Sequence, residues 1–284
     1  MLKVLKTTLK AVLGGAVLLA SAQLATADEL SDRIKAGKPI RLGFGTAIPW
    51  AYPGDKGEPL GFVNALTLVV LKEMGITKYE SSSTEWSGLI PGLQAKRYDL
   101  VTGGMYILKS RCNSINFSDP IGLFGDAMLV PTGNPKGIHN YQDVIKTGAK
   151  LVTGAGFNTV EAAKKEGVPE SQMMLVAGEV EILAAMRAGR ADAAVQTFFG
   201  AKEHVDKSKG KFEVTDPAKM PKWTQNWVGI GMRKSDTDFL AAFNKAMAKV
   251  IGGEEWMKAT APYGYTKFQL PGPDASTAFA CANR

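Results

Sequence analysis

The stretch TEWSGLIPGLQAKRYDLVTGGMYILKSRCNSINFSDP, residues 84–120, decides the fold. Leu89, Ile90, Leu93 and Ala95 recur near helical spacing, and Lys96 and Arg97 close that helix. Asp99, Leu100 and Val101 open a buried strand, after which Gly103 and Gly104 let the backbone turn sharply. The loop that follows carries Tyr106 and, five residues on, Arg111. A loop at the carboxyl end of a strand is where open α/β sheets bind ligands, and an arginine there offers a planar fork to a carboxylate.

Outward from that stretch the same alternation continues. Strands are predicted at residues 40–44, 99–102, 126–131, 151–154, 174–176, 191–196 and 228–233. Helices are predicted at 60–74, 141–147, 159–166, 179–188, 199–207, 238–251 and 254–260. Val63, Leu66, Val70 and Met74 mark the apolar face of the first of these helices. Alternating strand and helix imply an α/β fold. The pattern restarts near Lys136, and the chain returns at Val228 to complete the first part. The expected architecture is therefore two α/β domains joined by a two-stranded hinge, lobe 1 being residues 28–132 with 228–284 and lobe 2 residues 133–227. Hinge segments are expected near residues 130–134 and 226–229, and a cleft between two lobes is a favoured ligand site.

The N-terminus reads as a secretory leader. Lys3, Lys6 and Lys10 precede an uncharged apolar run at residues 11–22, and Ala25, Thr26 and Ala27 fit a small-x-small cleavage site. The run is short for a membrane span, which needs about 20 residues; a retained anchor is the alternative. Cleavage of residues 1–27 would leave a mature protein starting at Asp28 and delivered to the periplasm. The net charge of +7 includes three leader lysines, so the mature excess is a mild +4. The densest basic parts, Lys164–Lys165 and residues 202–211, read as solvated helix faces, and no nucleic-acid motif is present. Cys112 and Cys281 form an even pair in an oxidising compartment, so a disulfide is expected, two buried thiols being the alternative. No metal-ligand spacing occurs and no cofactor is called for. His139 and His204 stand alone, in expected loop or surface positions.

These motifs together resemble the type II periplasmic solute-binding proteins of amino-acid ABC importers. The resemblance rests on residues 88–120, on AGRADAAV at 188–195 and on VGIGMRKSD at 228–236, and covers nearly all of the mature chain. Within that family the chain is most similar to the ectoine- and hydroxyectoine-binding branch. The shared features are the TEW start with IPGL, the aromatic five before the arginine, the Arg111–Cys112 pair, and the turn GNPKGIHNY at 133–141. The resemblance implies a two-lobed carrier that closes on its solute and serves permease and ATPase subunits in the inner membrane. A monomer is expected.

Carried position by position, the resemblance places the carboxylate-binding arginine at Arg111 and the sandwiching aromatics at Trp50, Trp86 and Tyr106. It places a hydroxyl and backbone amides for the same carboxylate at Thr159. Gly104 and the 154–156 turn would allow close backbone approach, with Phe157, Asn158 and Thr197 nearby; Phe198, Glu179 and Asn226 are further cleft candidates. Two acids of the family pattern are missing: Ala47 stands in the first loop and Thr197 after the strand of lobe 2. Aromatic cages attract cations by ~0.5–2 kcal/mol per contact. The expected ligand is therefore a compact zwitterion, ectoine-like, betaine-like or proline-like. Each residue also has a plainer reading. Trp50 would be core beside Pro49, Trp86 a staple at a helix start, Arg111 a salt bridge to Asp119 or Asp126, and Thr159 or Asn158 a helix cap. Two other classes stay open: an exported dehydratase-type enzyme, for which Glu85, Glu179 and Glu181 are the remaining acids, and a receptor's sensing module, against which no second span or signalling segment is read.

Overall fold

The computed structural model describes residues 28–284; the leader read at residues 1–27 lies outside the described residues. Two five-stranded sheets organise the chain. The first has the order Tyr79–Ser83, Ile40–Phe44, Leu100–Val101, Gly231–Met232, Asn116–Phe117. The second has the order Met173–Val176, Leu151–Gly154, Ala193–Thr197, Asp126–Pro131, Phe212–Val214. In each, the three leading strands run parallel and the fourth antiparallel, so the two halves share one topology.

Side-chain periods explain the layers. Along Asp126–Pro131, Met128 and Val130 join one core with Tyr141, Val144 and Ala162, while Leu129 joins the core on the other face with Ile182, Leu183 and Ala201. A period of two buries both faces, which is why this strand is apolar from Ala127 to Pro131. In the first lobe, Phe62, Val63, Leu66 and Val70 of the helix Phe62–Glu73 pack on Leu42 and Leu100, joined by Phe239 and Phe243 of the helix Thr237–Val250.

The chain crosses between sheets twice, at Gly122–Phe124 and at Asn226–Val228, and these segments pair antiparallel. Residues 126–131 thus belong to the second sheet, and the division expected after residue 132 falls beyond them. The crossing is made by a three-residue segment whose sequence has no boundary mark of its own. The strand expected at 228–233 is two pieces, because Asn226–Val228 pairs with the crossing segment and Gly231–Met232 with the first sheet. The exposed edge strand Tyr79–Ser83 escaped prediction because its sequence, YESSS, has no apolar alternation. Cys112 and Cys281 are bonded, tying the terminal helix Thr277–Asn283 to the short helix Lys109–Cys112. Among the described residues no helix is long and apolar enough to cross a membrane.

Candidate functional site

The carboxyl ends of both sheets face each other across a cleft, and its deepest point is a small cavity. Ala47, Trp50, Trp86, Gly103, Gly104, Tyr106, Phe157, Asn158, Glu179 and Thr197 line it. Trp50 is both core and wall. Its ring packs 4.5 Å from Phe124 and 4.8 Å from Phe62, while its Nε1 donates to Thr197 Oγ1 in the opposite lobe at 3.1 Å. The close fit needs a glycine at 104: φ there is +83°, and a Cβ would stand 2.4 Å from the Trp50 ring. Trp86 opens the turn Trp86–Gly88, lies 5.4 Å from Phe157 edge-on, and donates from Nε1 to the Gly156 carbonyl at 3.0 Å. Tyr106 lies 6.3 Å from Trp50.

Arg111 is 6% exposed and lies just behind this wall, 6.0 Å from the Trp86 ring, without lining the cavity itself. Nη1 donates to the Tyr106 carbonyl and Nη2 to the Gly156 carbonyl of the other lobe, both at 2.9 Å. Gly156 has φ +77°, the conformation that turns its carbonyl toward both Arg111 and Trp86. The salt bridges weighed for Arg111 with Asp119 or Asp126 do not form: among the described residues no carboxylate comes within 4.0 Å of its guanidinium. Burial lowers its pKa to about 10.

Two enclosed acids sit opposite. Asp126 is 1% exposed, accepts from Asn158 Nδ2 at 2.7 Å and, at the outer limit of bonding, from Tyr106 Oη at 3.5 Å. The Glu179 side chain is 13% exposed. The Gln196 amide, turned so that both its ends are satisfied, donates to Glu179 Oε2 at 2.5 Å and accepts from His204 Nδ1 at 2.9 Å. Burial pushes both carboxyls up to about 7 and His204 down to about 4. His204, expected at the surface, is 5% exposed inside the helix Phe198–Ser208, because its position falls on the inward face with Ala201 and Ser208. Elsewhere Asp99 is held by Arg41 and Arg233, Asp236 by Arg233, and Asp28 by the backbone N–H groups of Ser31 and Phe239.

The structure thus brings Trp50, Trp86, Gly104, Tyr106, Phe157, Asn158 and Thr197 to one cavity. Thr159 is not there: it is fully buried, with Oγ1 2.5 Å from Thr153 Oγ1. Nor does it or Asn158 cap the helix Asn158–Lys165, whose cap position is Phe157. Phe198 and Asn226 do not line the cavity either.

The cavity measures about 30 Å³, room for a water or two. A solute therefore needs the lobes to part, breaking the Trp50–Thr197, Trp86–Gly156 and Arg111–Gly156 contacts, together with the Ser110 Oγ to Glu161 Oε1 bond of 2.8 Å. A larger cavity of about 330 Å³ adjoins, sharing Ala47, Trp86, Phe157 and Glu179 as walls.

Residues 40–266 match the family described as bacterial extracellular solute-binding proteins, family 3. The chain belongs to that family. A probable amino-acid ABC transporter periplasmic-binding protein of Sinorhizobium fredii is 32% identical over 274 residues, covering 94% of this chain and 90% of its own. Among solved structures, EhuB in complex with hydroxyectoine superposes with a TM-score of 0.75 at 26% identity, covering 84% of this chain and 92% of EhuB. The ancestral amino acid-binding protein AncCDT-1, a precursor of cyclohexadienyl dehydratase, gives 0.71 at 27% identity, covering 84% and 99%. This family 3 member therefore shares its two-lobed fold with binding proteins over nearly the whole described chain.

Proposed function

We propose that this protein captures a small zwitterionic solute, of the ectoine, betaine or proline kind, in the periplasm and delivers it to an ABC permease and its ATPase. The observation that carries the reading is Arg111: a buried guanidinium with no acid within 4.0 Å among the described residues, whose donor toward the other lobe is met by the Gly156 carbonyl. A buried cation without an anion is costly, and a solute carboxylate would compensate it. The carbonyl marks the place where such an oxygen would bond. Trp50, Trp86, Tyr106 and Phe157 then surround the cationic body. Secretion by way of residues 1–27 puts the protein in that compartment. The paired crossings at Gly122–Phe124 and Asn226–Val228 serve as the hinge between lobe 1 and lobe 2.

Calorimetry with ectoine, hydroxyectoine, glycine betaine, L-proline and maltose tests this reading. Heat from at least one zwitterion and none from the sugar is expected; heat from the sugar alone would refute it. The enclosed Glu179, its carboxyl near 7, keeps a dehydratase-type enzyme in view as the second reading. NMR of the solute after incubation separates the two, a carrier returning the compound unchanged.

A further inference from the structure

We infer that Glu179 is the residue that selects for a solute whose cationic nitrogen bears hydrogens, through a hydrogen-bonded ion pair at the cleft. The inference rests on the zwitterion reading above and narrows it to N–H cations rather than quaternary ones.

Three placements support it. Glu179 lines the aromatic cavity and the larger cavity beside it, so it stands where the cage opens outward. Its Oε2 is taken by the Gln196 amide, with His204 Nε2 3.5 Å away, whereas Oε1 accepts no hydrogen bond among the described residues. No lysine or arginine among the described residues comes within 4.0 Å of the carboxylate. Glu179 therefore mirrors Arg111: one enclosed anion on lobe 2, one enclosed cation on lobe 1, neither paired with an opposite charge of the protein.

The third placement explains the missing acid at 197. A Cβ at Gly200 would lie 3.2 Å from Glu179 Oε1 and 3.3 Å from Thr197 Oγ1. The two oxygens thus share one neighbourhood, although Glu179 starts the helix Glu179–Arg187 and Thr197 ends a strand. The negative charge absent from position 197 returns to nearly the same spot from another element. Gly200 makes this possible, since any larger residue there would press on the carboxylate. Cation–π attraction alone does not distinguish an ammonium from its methylated form by hydrogen bonding; a carboxylate with a free oxygen does.

The test uses the full-length mature protein and three probes: L-proline, N,N-dimethyl-L-proline and ectoine. The first two differ only at nitrogen, which carries two hydrogens in one and two methyl groups in the other. Wild-type protein is expected to bind L-proline or ectoine at least tenfold tighter than dimethylproline. Glu179→Gln, checked for folding by circular dichroism, is expected to shrink that preference at least tenfold, because the amide keeps the shape and loses the charge. Dimethylproline binding as tightly as the N–H probes would overturn the inference and leave the zwitterion reading standing, as would a Glu179→Gln protein that weakens all probes equally. Absence of heat from every zwitterion, these probes and the wider panel alike, would remove the zwitterion reading and the inference with it. If Glu179→Gln fails to fold, the wild-type preference decides alone.

Discussion

Replacing Arg111 by lysine keeps the charge and removes the fork, and this separates geometry from electrostatics. A guanidinium has five N–H donors; one is spent on the Tyr106 carbonyl, and the one now on the Gly156 carbonyl of the other lobe is released when the lobes part. The rest remain for a carboxylate. Lysine offers three donors from one nitrogen, which cannot hold the Tyr106 carbonyl and still present a parallel pair to a solute. One charge-assisted hydrogen bond lost is worth about 1.5–3 kcal/mol, so Arg111→Lys should weaken solute binding by about 10- to 150-fold. Arg111→Met removes the charge as well, and truncating one partner of a buried charge pair costs about 2–5 kcal/mol or more, at least about 30-fold. Titration calorimetry at pH 7.5 with the tightest zwitterion measures both, and melting curves without solute show whether the fold survives. A well-folded Arg111→Lys protein binding within about threefold of wild type, less than about 0.7 kcal/mol, would refute the role given to the guanidinium.

Gly104→Ala should impair both closure and binding. Its φ of +83° and the 2.4 Å approach to Trp50 impose strain of about 1–3 kcal/mol, so a loss of affinity of about 5- to 150-fold with altered tryptophan fluorescence is expected; an unchanged dissociation constant would contradict it. The Cys112–Cys281 bond spans 169 residues, and loop-closure entropy puts its contribution at up to about 5 kcal/mol. The double serine variant should unfold in urea with stability lower by about 2–5 kcal/mol, and an unmoved midpoint would count against the bridge as a stabiliser. Asp126 and Glu179 hold their protons up to about 7 when folded, so stability falls as pH rises from 5.5 to 8; His204, neutral down to about 4, opposes this only up to its unfolded value. The two acids outweigh one imidazole, giving a net loss of roughly 2–3 kcal/mol over that range. Asp126→Asn should recover part of it at pH 8, and urea unfolding at both pH values showing no gain would sink the assignment.

Most of the architecture was legible because the elements are internally marked. The helix Phe62–Glu73 declares itself through Val63, Leu66 and Val70, and the helix Asn158–Lys165 stops near Gly167. What escaped was set by pairing partners. Tyr79–Ser83 is a strand because Ile40–Phe44 lies beside it, not because of its own residues. The crossing Gly122–Phe124 is defined by Asn226–Val228, more than 100 residues away, so no local pattern could fix the boundary. Thr159 was expected at the solute carboxylate through the resemblance, with a helix cap as its plainer reading, but Thr153 on the preceding strand meets its hydroxyl.

The cleft shows a subtler limit. The resemblance leads one to expect an acid where Thr197 stands, and its loss, taken alone, favours quaternary cations. Yet a solute responds to where an oxygen is, not to which residue supplies it. Glu179 reaches the same neighbourhood because its helix starts after Met173–Val176, which is separated from the strand ending in Thr197 only by Leu151–Gly154, and because Gly200 leaves the space open. The substitution at 197 therefore does not by itself decide ligand class. The deciding quantity is the net charge enclosed at the cleft, one guanidinium against Glu179 and Asp126, and only the folded chain brings these three together.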